Sequence, residues 1–90
     1  MELGLKGKVA VITGGTQGIG KATAQKLAAE GASVVIVARG QEGLDAVAAE
    51  IRGAGGNVAT VSADVSKPED CDRVIAEALK AFGGIDILVN

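Results

Sequence analysis

The sequence predicts an α/β protein in which a doubly wound parallel sheet is covered by helices on both faces. Strand-like and helix-like segments alternate along all 90 residues, and 14 glycines lie in clusters between them. The first, second and fourth strand-like segments are largely apolar, as is typical of strands buried on both faces. This alternation favours crossover connections between parallel strands, and a doubly wound arrangement gives the strand order 3-2-1-4.

Four short runs rich in β-branched residues are predicted as strands. They cover Lys8 to Thr13, Ser33 to Ala38, Asn57 to Ser62 and Asp86 to Val89. In the order 3-2-1-4 the fourth strand lies at an edge, although its composition is that of a central strand, so we expect a further strand to pair with it. We therefore expect residues 1–90 to be the N-terminal part of a longer domain, truncated after strand four.

Two helices are predicted in the first half of the chain. Helix one runs from Gly18 to about Glu30, ahead of a glycine at position 31 that suits a C-terminal cap. Its expected apolar stripe is Ile19, Ala22, Leu27 and Ala28. Helix two runs from Gln41 to about Arg52 and ends at a glycine-rich break. Its expected stripe is Leu44, Val47, Ala48 and Ile51.

Helix three is predicted to begin at a capping box, Ser66-Lys67-Pro68-Glu69, with proline in the first turn. Its expected stripe is Val74, Ile75, Ala78, Leu79 and Phe82. Cys71 is expected to be a small buried apolar residue of this helix, without a chemical role.

The composition excludes several classes of function. The chain has no His, Tyr or Trp and a single Cys, so it offers no Ser-His or Cys-His pair and no Cys-rich zinc site. We expect no metal, and a lone Cys fits a reducing, cytoplasmic location. The net charge is -2 and the charges are scattered, so neither nucleic acid nor a membrane surface is expected as a partner.

A glycine-rich turn, Thr13-Gly14-Gly15-Thr16-Gln17-Gly18-Ile19-Gly20, separates strand one from helix one. Backbone amides and the helix dipole at such a junction attract phosphate oxygens, and glycines let the ligand approach the backbone. The alternative is a turn that is merely flexible.

Two templates fit this turn. The G-x-x-x-x-G-K pattern of a P-loop fits Gly15 to Lys21, but Ala22 stands where a Ser or Thr hydroxyl should bind Mg²⁺. The spacing T-G-x-x-x-G-x-G fits better, and it differs from the commoner G-x-G-x-x-G fingerprint.

On these residues all 90 residues of the chain resemble the N-terminal third or so of a classical short-chain dehydrogenase/reductase. Further support comes from Asp64-Val65 after strand three and from Asp86-Ile87-Leu88-Val89-Asn90, which is similar to the start of the family's N-N-A-G motif. The resemblance implies a Rossmann-like fold that binds a nicotinamide dinucleotide. The cofactor-binding residues expected in the turn are Gly14, Thr16, Gln17, Gly18, Ile19 and Gly20.

The resemblance also implies roles for residues beyond the turn. Asp64 would contact the adenine ring, Val65 would pack beside it, and Asn90 would hold strand four near the ribose. For Asp64, a solvated turn residue is the alternative.

The end of strand two indicates the choice of cofactor. Cofactor sites for NAD carry a carboxylate there, whereas this chain has Ala38-Arg39-Gly40. Arg39 can make a bidentate contact with a 2′-phosphate, so NADP is favoured over NAD. An exposed Arg39 without a ligand is the alternative, and Gln17 stands where NADP-preferring relatives often have Arg or Lys.

The resemblance implies an oxidoreductase that, at full length, transfers a hydride between nicotinamide and a carbonyl or alcohol substrate, as 3-oxoacyl-thioester reductases do. We expect that protein to be a homo-oligomer. The family's catalytic Ser, Tyr and Lys lie beyond strand four, so no catalytic residue is assigned and the 90-residue chain alone is expected to be inactive. A non-catalytic nucleotide-binding module, complete at 90 residues, and a P-loop phosphohydrolase are the alternatives.

Overall fold

A computed structural model describes residues 4–90 as seven alternating strands and helices. In chain order these are β1 (Val9–Thr13), α1 (Gly18–Ala29), β2 (Ser33–Ala38), α2 (Gln41–Gly53), β3 (Asn57–Ser62), α3 (Pro68–Phe82) and β4 (Ile87–Val89). The strands form one sheet in the order β3-β2-β1-β4, and every neighbouring pair is parallel. The predicted fold class and strand order are confirmed.

The two central strands are buried on both faces of the sheet. Alternate residues such as Ile12 and Ile36 belong to one core with α1 and α2, whereas Val11 and Val35 belong to a second core with α3. These four side chains are at most 1% exposed. Burying each stabilises the fold by about 1.5–3 kcal/mol, which explains why β1 and β2 have almost no polar residues.

Helix α1 packs on the sheet through small residues, and this corrects the first half of the predicted stripe; Leu27 and Ala28 pack against the core as predicted. Ala24 and Ala28 are the buried positions, whereas Ile19 is 87% exposed and Ala22 is exposed. The reason is the start of the helix: a Cβ at Gly20 would collide with the carbonyl of Gly14. Ala24 and Ala28 lie on the same helix face as Gly20, at i+4 and i+8, so this face lies nearest the sheet. The larger side chains of α1 lie to either side of that face.

Helix α2 agrees with the prediction, since its four stripe residues are at most 3% exposed. Both α1 and α2 end in a Schellman motif built on a glycine with positive φ, Gly31 (96°) and Gly55 (86°). At the end of α1, the Gly31 amide donates to Ala28 and the Ala32 amide to Leu27, at 3.1 and 3.0 Å.

Helix α3 does not begin with the predicted capping box. The helix begins at Pro68, so Lys67 and not Ser66 is the N-cap residue, and a lysine ammonium has no acceptor for a capping bond. Ser66 lies one residue earlier, and its hydroxyl donates to the Asp64 carboxylate. The predicted apolar stripe of α3 is only partly buried: Ala78 is fully buried, but Ile75 and Leu79 are 50% and 49% exposed. Within residues 4–90, no helix is long and apolar enough to cross a bilayer.

Strand β4 forms an edge of the sheet as the structure describes it. It pairs with β1 alone, from Ala10 opposite Ile87 to Ile12 opposite Val89. Asp86 ties the start of this pair together, since its carboxylate accepts from the Val9 amide and its amide donates to the Val9 carbonyl, both at 2.8 Å.

Candidate functional site

The carboxyl ends of β1, β2 and β3 lie side by side along the carboxyl-terminal edge of the parallel sheet and surround a cleft of about 710 Å³. It brings together six of the predicted site residues: Gly14, Thr16, Gln17, Arg39, Asp64 and Val65. Small-molecule sites are commonly of about 300–1,000 Å³, and open α/β sheets bind ligands at this edge.

The glycine-rich turn presents open backbone to this edge. Gly14 and Gly18 have φ of 70° and 55°, and a Cβ at either position would meet no atom within 4 Å. The open space and the positive φ explain why glycine suits both positions. The first turn of α1 carries no acidic residue that would offset its helix dipole. This arrangement fits a phosphate group held by backbone amides.

Two threonines flank the turn and have different contacts. The Thr13 hydroxyl donates to the Val89 carbonyl at 3.3 Å, so it joins β1 to β4. Thr16 lies against α2, where a Cβ at Gly43 would be 3.3 Å from the Thr16 Cβ. Gly43 lines the cleft but was not predicted as a site residue. Glycine disfavours helix formation, so its presence in the first turn of α2 was a signal that could have pointed to the site.

Arg39 lies exposed immediately after β2 and lines the cleft. Its backbone carbonyl accepts a hydrogen bond from the Ser62 hydroxyl at 2.9 Å, which ties the end of β2 to the end of β3. Arg39 therefore places a cation in the cleft, and a side chain of the neighbouring strand β3 fixes the backbone of this residue.

Asp64 is held as an anion by its neighbours. Its Oδ1 accepts from the Ser66 hydroxyl at 2.6 Å and from the Ser66 amide at 3.0 Å. These two bonds, the hydroxyl first, hold the pKa of the Asp64 carboxyl below its usual value; slight desolvation opposes them, and the charges of Arg39 and Lys67 reinforce them. Ser66 also lines the cleft and was not predicted; its position two residues after an aspartate was the available signal.

Four predicted residues do not line the cleft. Gly18, Ile19 and Gly20 form the start of α1 beside it. Asn90 lies in line with β4, with its Oδ1 3.4 Å from the Thr13 hydroxyl, and borders a separate apolar groove between α3 and β4. Contact between these four residues and a ligand stays a prediction.

Cys71 differs from its prediction, because it is half-buried and makes a polar contact. Its thiol donates to the Val65 carbonyl at 3.1 Å. It therefore contacts the loop that follows β3 rather than lying within the core.

The chain is similar to oxidoreductases over nearly all of its length. It is 49% identical over 86 residues to an uncharacterised oxidoreductase of Mycobacterium tuberculosis, covering 96% of this chain and 33% of that protein. It is 46% identical over 85 residues to human dehydrogenase/reductase SDR family member 2, mitochondrial, covering 94% of this chain and 30% of that protein. The chain thus spans about a third of the length of the curated relatives it matches.

Solved structures of oxidoreductases also superpose on nearly the whole chain. L-sorbose reductase of Gluconobacter frateurii, complexed with NADPH and L-sorbose, superposes with a TM-score of 0.95 at 46% identity, covering 100% of this chain and 35% of that one. A metagenomic short-chain oxidoreductase in complex with NADP has a TM-score of 0.87 at 43% identity, covering 93% and 38%.

The sequence profile described as short chain dehydrogenase matches residues 8–90. That range contains the whole sheet, the glycine-rich turn and every residue that lines the cleft. The chain belongs to the short-chain dehydrogenase family.

Proposed function

We propose that residues 1–90 are the NADP(H)-binding portion of a short-chain dehydrogenase/reductase. The observation that carries this proposal is one cleft lined by the first part of the glycine-rich turn (residues 13–17), by Arg39 and by Asp64. A nucleotide with a pyrophosphate, a 2′-phosphate and an adenine amino group has one suitable partner for each of these three features.

Each feature has its own part in binding. The backbone amides of the turn and of the first turn of α1 would hold the pyrophosphate, with Gly14 and Gly18 giving it room. The Arg39 guanidinium would make charge-assisted bonds with a 2′-phosphate. Asp64, ionised and fixed by Ser66, would accept from the adenine amino group, and Val65 would pack against the ring.

The preference for NADP over NAD rests on charge. A ribose 2′-OH is usually held by a carboxylate at the end of β2, and no carboxylate stands there in Ala38-Arg39-Gly40. Arg39 is the cation near that position, whereas Gln17 supplies no second charge. Two structural relatives that were solved with NADPH or NADP support the same preference.

When bound, the cofactor supplies a hydride at the nicotinamide for a carbonyl substrate, or accepts one from an alcohol. Residues 1–90 hold the nucleotide and orient it. They contain no Tyr and no His, so the proton donor for the substrate oxygen is proposed to lie outside them.

Membership of the family removes the P-loop phosphohydrolase alternative, since the glycine-rich turn belongs to the other template. A homo-oligomer and a cytoplasmic location remain predictions.

The test is a titration of the full-length protein with NADPH and NADH, followed by the fluorescence of the reduced nicotinamide. We expect NADPH to bind at least about ten-fold more tightly, since one additional charge-assisted contact is worth about 1.5–3 kcal/mol. Competition by 2′,5′-ADP tests whether the adenosine half carries this preference. Binding without carbonyl reduction would favour a non-catalytic binding module, and absence of binding to both nucleotides would overturn the proposal.

A further inference from the structure

The last residue of β3 and the loop that follows it, together called the adenine loop and defined as residues 62–66, are held by side chains of α3. Asp70 accepts from the Asp64 amide at 2.8 Å. The Cys71 thiol donates to the Val65 carbonyl at 3.1 Å, and the Arg73 guanidinium donates to the Ser62 carbonyl at 2.5 Å. Three side chains from the first two turns of one helix thus hold backbone groups along this loop.

The contacts continue from the adenine loop to the end of β2. Arg73 holds the Ser62 carbonyl, and the Ser62 hydroxyl in turn donates to the Arg39 carbonyl at 2.9 Å. Asp70 and Arg73 also approach each other, with 3.8 Å between Oδ1 and Nη2. Their side chains are 24% and 47% exposed, so the hydrogen bonds to backbone matter more than this ion pair.

We propose that Asp70 and Arg73 are positioning residues that hold the adenine loop, and through Ser62 the end of β2, in the geometry that receives the adenosine half of the dinucleotide. The inference rests on the proposed function. Neither side chain lines the cleft, so both act through the residues that do.

The physical reason is the entropy of the loop. A loop without these bonds samples more conformations, and only a fraction of them places Asp64 and Val65 correctly for the ring. The apparent dissociation constant rises by the inverse of that fraction, because binding must then order the loop. Asp70 has the greater effect in this scheme, since it fixes the backbone of Asp64 itself.

The test compares Asp70→Ala with two controls in the full-length protein. Asp70→Asn keeps an acceptor oxygen for the Asp64 amide but removes the charge near Arg73. Asp72→Ala removes a carboxylate from an exposed position of the same helix. The readouts are the dissociation constants of NADPH and of 2′,5′-ADP, the KM for the cofactor, kcat at saturating cofactor, and the thermal unfolding midpoint.

Asp70→Ala is expected to weaken binding of both ligands about 3- to 10-fold and to raise the cofactor KM, with kcat unchanged. Asp70→Asn should restore most of the affinity, and Asp72→Ala should match the parent protein. The inference would be overturned if Asp70→Ala bound both ligands as tightly as the parent protein, or if Asp72→Ala lost as much affinity as Asp70→Ala. So would a lowered unfolding midpoint without any change in dissociation constant or KM. A parent protein that binds neither ligand would instead overturn the proposed function.

Discussion

At the scale of single residues, the cleft depends on two opposite charges that follow neighbouring strands. Arg39 follows β2 and Asp64 follows β3 by two residues, and the charge of Arg39 helps to lower the pKa of the Asp64 carboxyl. The two side chains therefore share one electrostatic environment, although they are proposed to bind different parts of the ligand.

The first prediction concerns Arg39. Replacing Arg39→Asp in the full-length protein should weaken NADPH binding about 10- to 100-fold and spare or improve NADH binding, because a 2′-phosphate loses its charged donor and a ribose hydroxyl gains an acceptor. Isothermal titration of both nucleotides measures the change. Lys80→Asp, the same charge change in the last turn of α3, should leave both affinities in place. A parent protein that already prefers NADH would contradict the role given to Arg39.

The second prediction concerns the titration of Asp64. Ser66→Ala removes the hydroxyl bond that lowers the Asp64 pKa most, so that pKa should rise toward the ordinary aspartate value of about 3.9. Because the ionised carboxylate is the proposed acceptor, adenosine binding should hold above this pKa and be lost as the pH falls through it. The variant should therefore lose binding at a higher pH than the parent protein.

The carboxyl carbon of Asp64, followed by nuclear magnetic resonance against pH, measures this shift. Ser66→Thr keeps a hydroxyl at the position and serves as the control. An identical titration curve in Ser66→Ala and in the parent protein would show that Ser66 does not govern the carboxylate.

At the scale of elements, the start of α1 is determined by close packing between glycines. The third prediction is that Gly20→Ala destabilises the fold by about 1–3 kcal/mol, because the new Cβ would overlap the Gly14 carbonyl and displace the turn or the helix. Gly53→Ala is the matched control, since Gly53 is helical with nothing within 4 Å of an added Cβ. That change should stabilise the fold, by at most about 1 kcal/mol. Equal unfolding midpoints for the two variants in chemical denaturation would refute this account of α1.

The three helices also show what a pattern of apolar residues can predict. The stripe of α2 was predicted correctly because Leu44 and Ile51 are large, and large apolar side chains at helical spacing must be buried somewhere. The stripe of α1 was only half right: Ala28 is buried and Leu27 packs against the core, whereas Ile19 and Ala22 are exposed. The rest of its contact face is Gly20 and Ala24, which give almost no hydrophobic signal. The start of α3 was predicted one residue too early: Lys67 is the N-cap residue, so Ser66 lies outside the capping position and its hydroxyl donates to the Asp64 carboxylate.

At the scale of the whole molecule, the strand order followed from apolar strands and crossover connections, and with it the meeting of Arg39 and Asp64 at one edge. The bonds from α3 to the adenine loop could not be predicted in this way. They depend on which turn of α3 faces the loop, and that depends on the residue at which the helix begins. Asn90 shows the same limit: its position after β4 was predicted, whereas the separate groove that it borders was not.

The last prediction concerns residues 1–90 as an isolated chain, which we expect to show no oxidoreductase turnover. Hydride transfer to a carbonyl requires a proton donor at the oxygen, and general acid catalysis supplies about 10²–10⁴-fold in rate. A chain with no Tyr and no His can hold the cofactor but lacks the donor that the family resemblance implies. NADPH-dependent reduction of any carbonyl by the purified 90-residue chain would contradict this part of the prediction.

The same isolated chain is expected to associate and to be poorly soluble. Ile75, Leu79 and Leu88 are 50%, 49% and 63% exposed on α3 and β4, and β4 pairs on one side only within residues 4–90. Apolar side chains beside a strand with open amide and carbonyl groups favour pairing with another chain. Sedimentation velocity should therefore show species larger than the 8.9 kDa monomer, and Leu88→Lys, which places a charge on the exposed edge, should reduce them. A longer chain that covers this edge should be both soluble and active, whereas a stable monomer of residues 1–90 would show that the exposed edge needs no partner.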